Sequence, residues 1–312
     1  MKTRIQELDY LKSIFIILMV MFHLVYFGDK YPYLKEIIYT FHMSAFLIIS
    51  GYLINISKNP KSFFYCILWI FIPYAIMELG YVIMASILPI RDHINEINIV
   101  IVLEKIFKEP LGPYWYLHTL IVCDICYYVI YKYNIGKTEL SNIIILGSVL
   151  FVISSSPLTM LSFANAIYFI IGVAVRRSNK NFLSFFQPSF FSIIPLVFLC
   201  CYSSNLNRAT LGGVVITYLV ISIFLVLYRY LPKSLKNITT YIGKNTLQIL
   251  LFSPIFTILS KIFIPVFRFD PTGICFMCVS VVFVIGGCFL LSYIMDYIKI
   301  SIFFFGKKQI LR

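Results

Sequence analysis

Apolar runs of about 17 or more residues, separated by short polar and basic connections, recur along the whole chain. Each run is long enough to carry a helix across a hydrocarbon layer of about 30 Å. Read as helices, they place about ten spans, at 11–27, 37–56, 63–88, 114–133, 142–158, 163–175, 190–204, 211–231, 247–267 and 274–298, of which the sixth is short. A transmembrane β-barrel would show alternating segments of about ten residues, and none is present. The pattern predicts an all-α polytopic transmembrane helical bundle, with residues 1–312 forming one membrane domain and no separate soluble domain. The longest connection, 89–113, contains INIVIVLEKIF, which predicts a short amphipathic helix lying on the surface.

Composition strengthens that picture. Of 312 residues, 60% are hydrophobic and 12% charged, against about 25% charged in a soluble protein; the mean hydropathy is +0.90. The net charge of +13 does not point to nucleic acid, because the basic residues sit in the short connections. With a cytoplasmic amino terminus, the inner connections and span ends hold 18 of the 26 Lys and Arg, and the outer ones hold eight. The positive-inside rule therefore puts both termini in the cytoplasm. The first run has basic flanks like a signal peptide, but Phe27-Gly28-Asp29-Lys30 is a poor cleavage site, so a retained span is expected. The two CxxC pairs among the eight cysteines, Cys123/Cys126 and Cys275/Cys278, fall inside predicted spans, where thiols act as small packing groups. No metal site and no bound cofactor are expected.

Within the first span, Lys12 and His23 bracket ten apolar or small residues, SIFIILMVMF. At about 100° per residue an eleven-residue offset closes to within roughly 20° of three turns, so the two share one helix face about 16 Å apart. Both are costly inside a bilayer, which makes each a functional candidate.

The other ionisable residues at membrane depth, His42, Glu78, His118 and Asp124, also fall in spans one to four, while spans five to nine hold almost none. The chain thus divides into an active half and a scaffolding half. His23 reads either as an interfacial histidine among head groups or as a general base, since an imidazole accepts a proton near neutrality. His42 opens the second span, where it is either core packing or a neighbour of His23 across a helical hairpin. Ser50 and Gly51 read as small residues that let helices approach closely. Trp115 is an ordinary interfacial anchor, and His118, three residues on, shares its face. Glu78 and Asp124 must each pair or line a cavity, and either could orient a histidine.

Five segments, in order, resemble acyltransferase family 3, the integral-membrane enzymes that O-acylate glycans and related acceptors. They are RIQELDYLKSIFIILMVMFH, FHMSAFLIISGYLI, IFIPY at 70–74, PYWYLHTLI and YIGKNTLQILL at 241–251. The resemblance implies a membrane acyltransferase-like domain over 1–312, with His23 as the catalytic histidine and Lys12 as its basic partner. It also implies acetyl-CoA as an acyl-donor substrate entering from the cytoplasm. Two positions depart from the family pattern. Cys66 and Trp69 stand where the family carries a pair of arginines, with Lys58 and Lys61 near by as substitutes, and Ser253 stands where a histidine is common.

The resulting expectation is a membrane-bound O-acetyltransferase acting on a sugar hydroxyl of a surface or cell-wall glycan, free or lipid-linked, in a bacterial-type inner membrane. His23 is the base; Lys12, Lys58 and Lys61 hold the donor; His42, Glu78, Trp115, His118 and Asp124 form the acceptor side or support it. Membrane lipid, acyl-CoA and the glycan are the expected partners, with no nucleic acid, and a protein partner receives the acyl group if the chain does not transfer it itself. The rival class is a transporter or flippase for an anionic or lipid-linked substrate. It is disfavoured because no internal repeat is visible.

Overall fold

The computed structural model describes residues 4–87, 93–155, 160–178 and 180–311. The ends of the third and fifth predicted spans, at 88 and 156–158, lie outside the described residues, as do Lys2, Arg91 and Arg312. Among the described residues all regular structure is helical. In chain order the α-helices are α1 Gln6–His23, α2 Val25–Gly28, α3 Pro32–Leu53, α4 Pro60–Ile87, α5 Ile99–Phe107, α6 Trp115–Lys132, α7 Glu139–Ser155 and α8 Phe163–Arg177. There follow α9 Phe182–Phe185, α10 Ile193–Cys200, α11 Leu211–Tyr230, α12 Lys233–Lys244, α13 Thr246–Leu259, α14 Ile274–Tyr297 and α15 Ser301–Phe305.

Every predicted span contains a helix. Five described stretches are long and apolar enough to cross a membrane: Pro32–Leu53, Pro60–Ile87, Leu211–Tyr230, Thr246–Phe263 and Ile274–Tyr297. The predicted surface helix is α5, with Asn98 as its N-cap accepting from Ile101 N at 2.8 Å. None of its residues is buried, and Ile99 and Val100 are exposed.

The chain divides into two compact units. The first comprises Met1–Phe46, Lys180–Ile300 and Lys308–Arg312, the second Leu47–Asn179 and Ser301–Lys307, so that α3 contributes to both. In the first, α1 is the central element and packs against α11, α12, α13 and α14. Its Phe15 is fully buried, with the rings of Phe41, Phe46 and Phe224 edge-on at 5.9–6.3 Å. Such edge-to-face packing adds about 0.5–1.5 kcal/mol per pair to the burial itself. The first turn of α14 is anchored by Asp270, whose carboxylate accepts from Thr272 N and Cys275 N. Hydrogen bonds from the Thr272 side chain and the Cys275 backbone hold that carboxyl down to about 2.

In the second unit α4, α6, α7 and α8 pack side by side, and Phe63 stacks on Tyr128 with centroids 3.8 Å apart. The residues of α3 from Leu47 onward cross α8 at backbone contact distance. A Cβ on Gly51 would collide with Phe169 O, and one on Gly172 with Ile48 O. Without a hydrophobic drive between helices in lipid, such small-residue crossings are what bring backbones together. Replacing Gly172 with Val should therefore force the two helices apart and cost at least about 1–3 kcal/mol. The expected readout is a lower midpoint of thermal unfolding in detergent; an unchanged midpoint would refute the close crossing.

Candidate active site

Lys12 and His23 lie in one uninterrupted helix, α1, which preserves the shared face and the spacing of about 16 Å expected from eleven residues. At its amino-terminal end the helix carries an ion cluster that sequence reading missed. Asp9, 3% exposed, receives two hydrogen bonds from the Arg4 guanidinium, one of them Nη2 to Oδ1 at 3.0 Å. The same Oδ1 lies 2.8 Å from Lys12 Nζ, an i,i+3 pair. Lys12 is thus already held by a carboxylate, and the three groups together carry one net positive charge. Burial pushes the Asp9 carboxyl up, but the hydrogen bonds and charges of Arg4 and Lys12 outweigh it and hold it below the usual carboxylate range. Gly243 of α12 lies directly on Asp9 O, leaving no space for a Cβ there. The available signal was Asp9 itself, one helical turn before Lys12.

At the other end, α1 stops at His23, where Leu24 N turns back to Met21 O. The Phe22 carbonyl accepts from Tyr39 Oη at 3.1 Å, so α3 closes one of the carbonyls left open by the helix end. His23 Nδ1 lies 2.7 Å from Met19 O. A carbonyl can only accept, so Nδ1 carries the proton and Nε2 of the neutral ring is left with the lone pair. His42 repeats this arrangement, with Nδ1 2.7 Å from Ile38 O. The ring of Tyr39 lies beside both imidazoles, with centroids 5.8 Å from His23 and 5.3 Å from His42. The hairpin juxtaposition expected of the two histidines is therefore present in the first unit, with Tyr39 as an unexpected third member.

The remaining candidates fall in the second unit. Tyr74 and Glu78, one turn apart on α4, and His118 on α6 grip the last turn of α5 and the backbone that follows it. Tyr74 Oη donates to Ile106 O at 2.6 Å, His118 Nε2 donates to Phe107 O at 2.9 Å, and Glu78 Oε1 accepts from Leu111 N at 2.6 Å. Glu78 is fully buried and His118 is 6% exposed. These side chains satisfy peptide groups that leave a helix inside an apolar environment, where an unmet backbone group is expensive. Asp124 is buried, and its Oδ1 has no hydrogen-bond partner among the described residues. It sits six residues after His118, about 240° around the helix, and does not orient that ring. Trp115 opens α6 edge-on to Tyr116, whose hydroxyl lies 2.7 Å from Ser50 Oγ.

Lys58 and Lys61 precede and open α4. Lys58 Nζ lies 2.9 Å from Cys66 Sγ, and Lys58 O accepts from Tyr128 Oη at 2.9 Å and Lys132 Nζ at 3.3 Å. Lys61 is exposed. The indole of Trp69 lies against Gly306, just after α15.

Among the described residues the chain is all-helical, with five stretches long and apolar enough to cross a bilayer, and this defines a multi-pass membrane protein. The acyltransferase-domain profile matches residues 5–293, and the chain belongs to acyltransferase family 3. No curated protein and no solved structure matches it. The protein is an acyltransferase by family.

Two outcomes follow from the geometry. Tyr74→Phe removes the bond to Ile106 O and should cost about 1 kcal/mol, read as lower thermal stability and faster proteolysis of the α5 connection; unaltered protection would remove the clamp. For Asp9 the folded carboxyl is the stronger acid, so its stabilisation is present above the unfolded value of about 3.9 and is lost as pH falls below it. Asp9→Asn should then be less stable than the parent at pH 7, with the gap closing as pH falls below the unfolded value of about 3.9. A gap that persists or widens in acid would contradict the ion cluster.

Proposed function

We propose that this acyltransferase moves an acetyl group from acetyl-CoA to a sugar hydroxyl of a surface or cell-wall glycan, free or lipid-linked, with His23 as general base. The observation that carries the reading is the His23 ring. Its Nδ1 is pinned to Met19 O, which leaves Nε2 as the basic nitrogen of the neutral ring, on a helix that lies within the family match. The acceptor hydroxyl gives its proton to Nε2 as its oxygen attacks the thioester carbonyl. The C–S bond then breaks, and the proton passes from the imidazolium to the departing CoA thiolate, giving an acetyl ester and free CoA.

On this reading Lys12 meets the donor's phosphates. Asp9 fixes Lys12 in place while leaving the Arg4–Asp9–Lys12 group cationic. An extended pantetheine arm is comparable to the roughly 16 Å that separates Lys12 from His23 along the helix. On the same helical hairpin as His23, His42 serves the acceptor side. About ten spans with both termini cytoplasmic, in a bacterial-type inner membrane, would deliver cytoplasmic donor to one end of α1 and the glycan to the other.

The test is CoA release from labelled acetyl-CoA by purified protein in lipid, supplied with a glycan extract of the host. His23→Ala should lower both CoA release and glycan labelling by about 10²–10⁴-fold, the usual worth of a general base. Release that persists in the variant would sink the assignment of His23.

A further inference from the structure

The place of α12 in the chain restricts where it can lie. It joins α11 to α13, and Leu211–Tyr230 and Thr246–Phe263 are both long and apolar enough to cross a membrane. A connection between consecutive spans emerges at one face of the bilayer. The 12 residues of α12 measure about 18 Å as a helix, too short to cross about 30 Å of hydrocarbon. The helix therefore sits at a membrane surface.

Its sequence, KSLKNITTYIGK, divides it into three faces. One packs on the rest of the first unit. Gly243 lies directly on Asp9 O of α1, and Lys236 Nζ donates to Arg229 O at 3.3 Å and lies 4.9 Å from the centre of the Tyr228 ring. A second face is apolar and open. Leu235, Ile238 and Tyr241 recur every third residue, which keeps them within about 120° of one another, and they are 45%, 54% and 41% exposed. This stripe continues beyond α12. The Tyr241 ring meets Phe289 of α14 edge-on, with centroids 5.2 Å apart. That helix is long and apolar enough to cross a membrane, and it exposes Leu290 and Tyr293 beside Phe289. The open face of α12 is thus continuous with the surface that a spanning helix turns to lipid.

The third face is cationic. Lys233 and Lys244 are both exposed, and eleven residues of helix bring them within roughly 20° of each other around the axis. No Asp or Glu occurs between Glu139 and Asp270, so these lysines meet no carboxylate from their own stretch of chain. An apolar stripe flanked by lysines is the pattern of a helix lying in the interface, its apolar side about 5–10 Å below the head groups. The complementary charge at that level is phosphate.

We propose that α12 lies in the plane of the bilayer and binds anionic lipid: Leu235, Ile238 and Tyr241 sit below the head groups, and Lys233 and Lys244 pair with head-group phosphates. Because Gly243 seats α12 on Asp9, this contact also fixes the Arg4–Asp9–Lys12 end of α1 at head-group level. The lipid contact requires no acyl transfer and is independent of the acetyltransferase reading.

The first experiment places a fluorescent amino acid at position 235 or, in a second preparation, at position 237, about 160° around the helix. Full-length protein is reconstituted in phosphatidylcholine vesicles with brominated acyl chains. Quenching should be at least threefold stronger at 235 than at 237. Equal quenching at the two positions, or none at 235, overturns the in-plane orientation and leaves the stripe to a protein partner. The second experiment extracts the protein from vesicles of equal phosphatidylglycerol and phosphatidylcholine and counts the lipid retained. The parent should retain the anionic lipid in about fivefold excess or more, the effect of one surface lysine. Lys233→Gln combined with Lys244→Gln, both at exposed positions, should remove most of that excess. No excess in the parent, or an unchanged excess in the double variant, overturns the anionic-lipid assignment.

Discussion

A peptide carbonyl or amide inside lipid has no water to turn to, and the rest of this structure depends on how each exposed one finds a partner. Where α1 ends, Tyr39 closes the Phe22 carbonyl, and the two histidines donate to carbonyls four residues back. Where the chain leaves α5, Tyr74, His118 and Glu78 meet Ile106 O, Phe107 O and Leu111 N. The same requirement therefore produces two results. In one unit it fixes Nδ1 of two imidazoles as the donor, and in the other it engages polar side chains in holding a connection.

That division bears on what a polar residue in a span signifies. Glu78 and His118 look like chemistry when read along the sequence, because an ionisable group at membrane depth is rare. Their partners in the fold are backbone groups, which gives them a structural task whatever else they do. His42 is the converse case. Core packing is the plainer reading of its position, yet the fold leaves its Nε2 with no hydrogen-bond partner among the described residues.

Lys12 shows how a charge is held in a largely apolar helix. A lone ammonium near the end of a membrane helix would be hydrated and mobile. Here Asp9 binds it, and Arg4 restores the net positive charge of the group. Buried charges persist only when paired and hydrogen-bonded, so the cluster keeps a cation at the mouth of the helix without leaving it isolated.

The sequence by itself determined the helical segments, the surface helix α5 and the common face of Lys12 and His23, because each follows from periodicity within one stretch of chain. Asp9 was also readable, one turn ahead of Lys12, although its second bond to Arg4 depends on how the chain enters the helix. Only tertiary structure decided that Tyr39 stands beside both His23 and His42, and that the α4 and α6 polar residues hold the end of α5 and the backbone after it. Hydrophobic pattern specifies which residues are helical and which face is apolar. It does not specify which peptide group, on which other segment, a buried polar atom will meet, since that is set by helix packing.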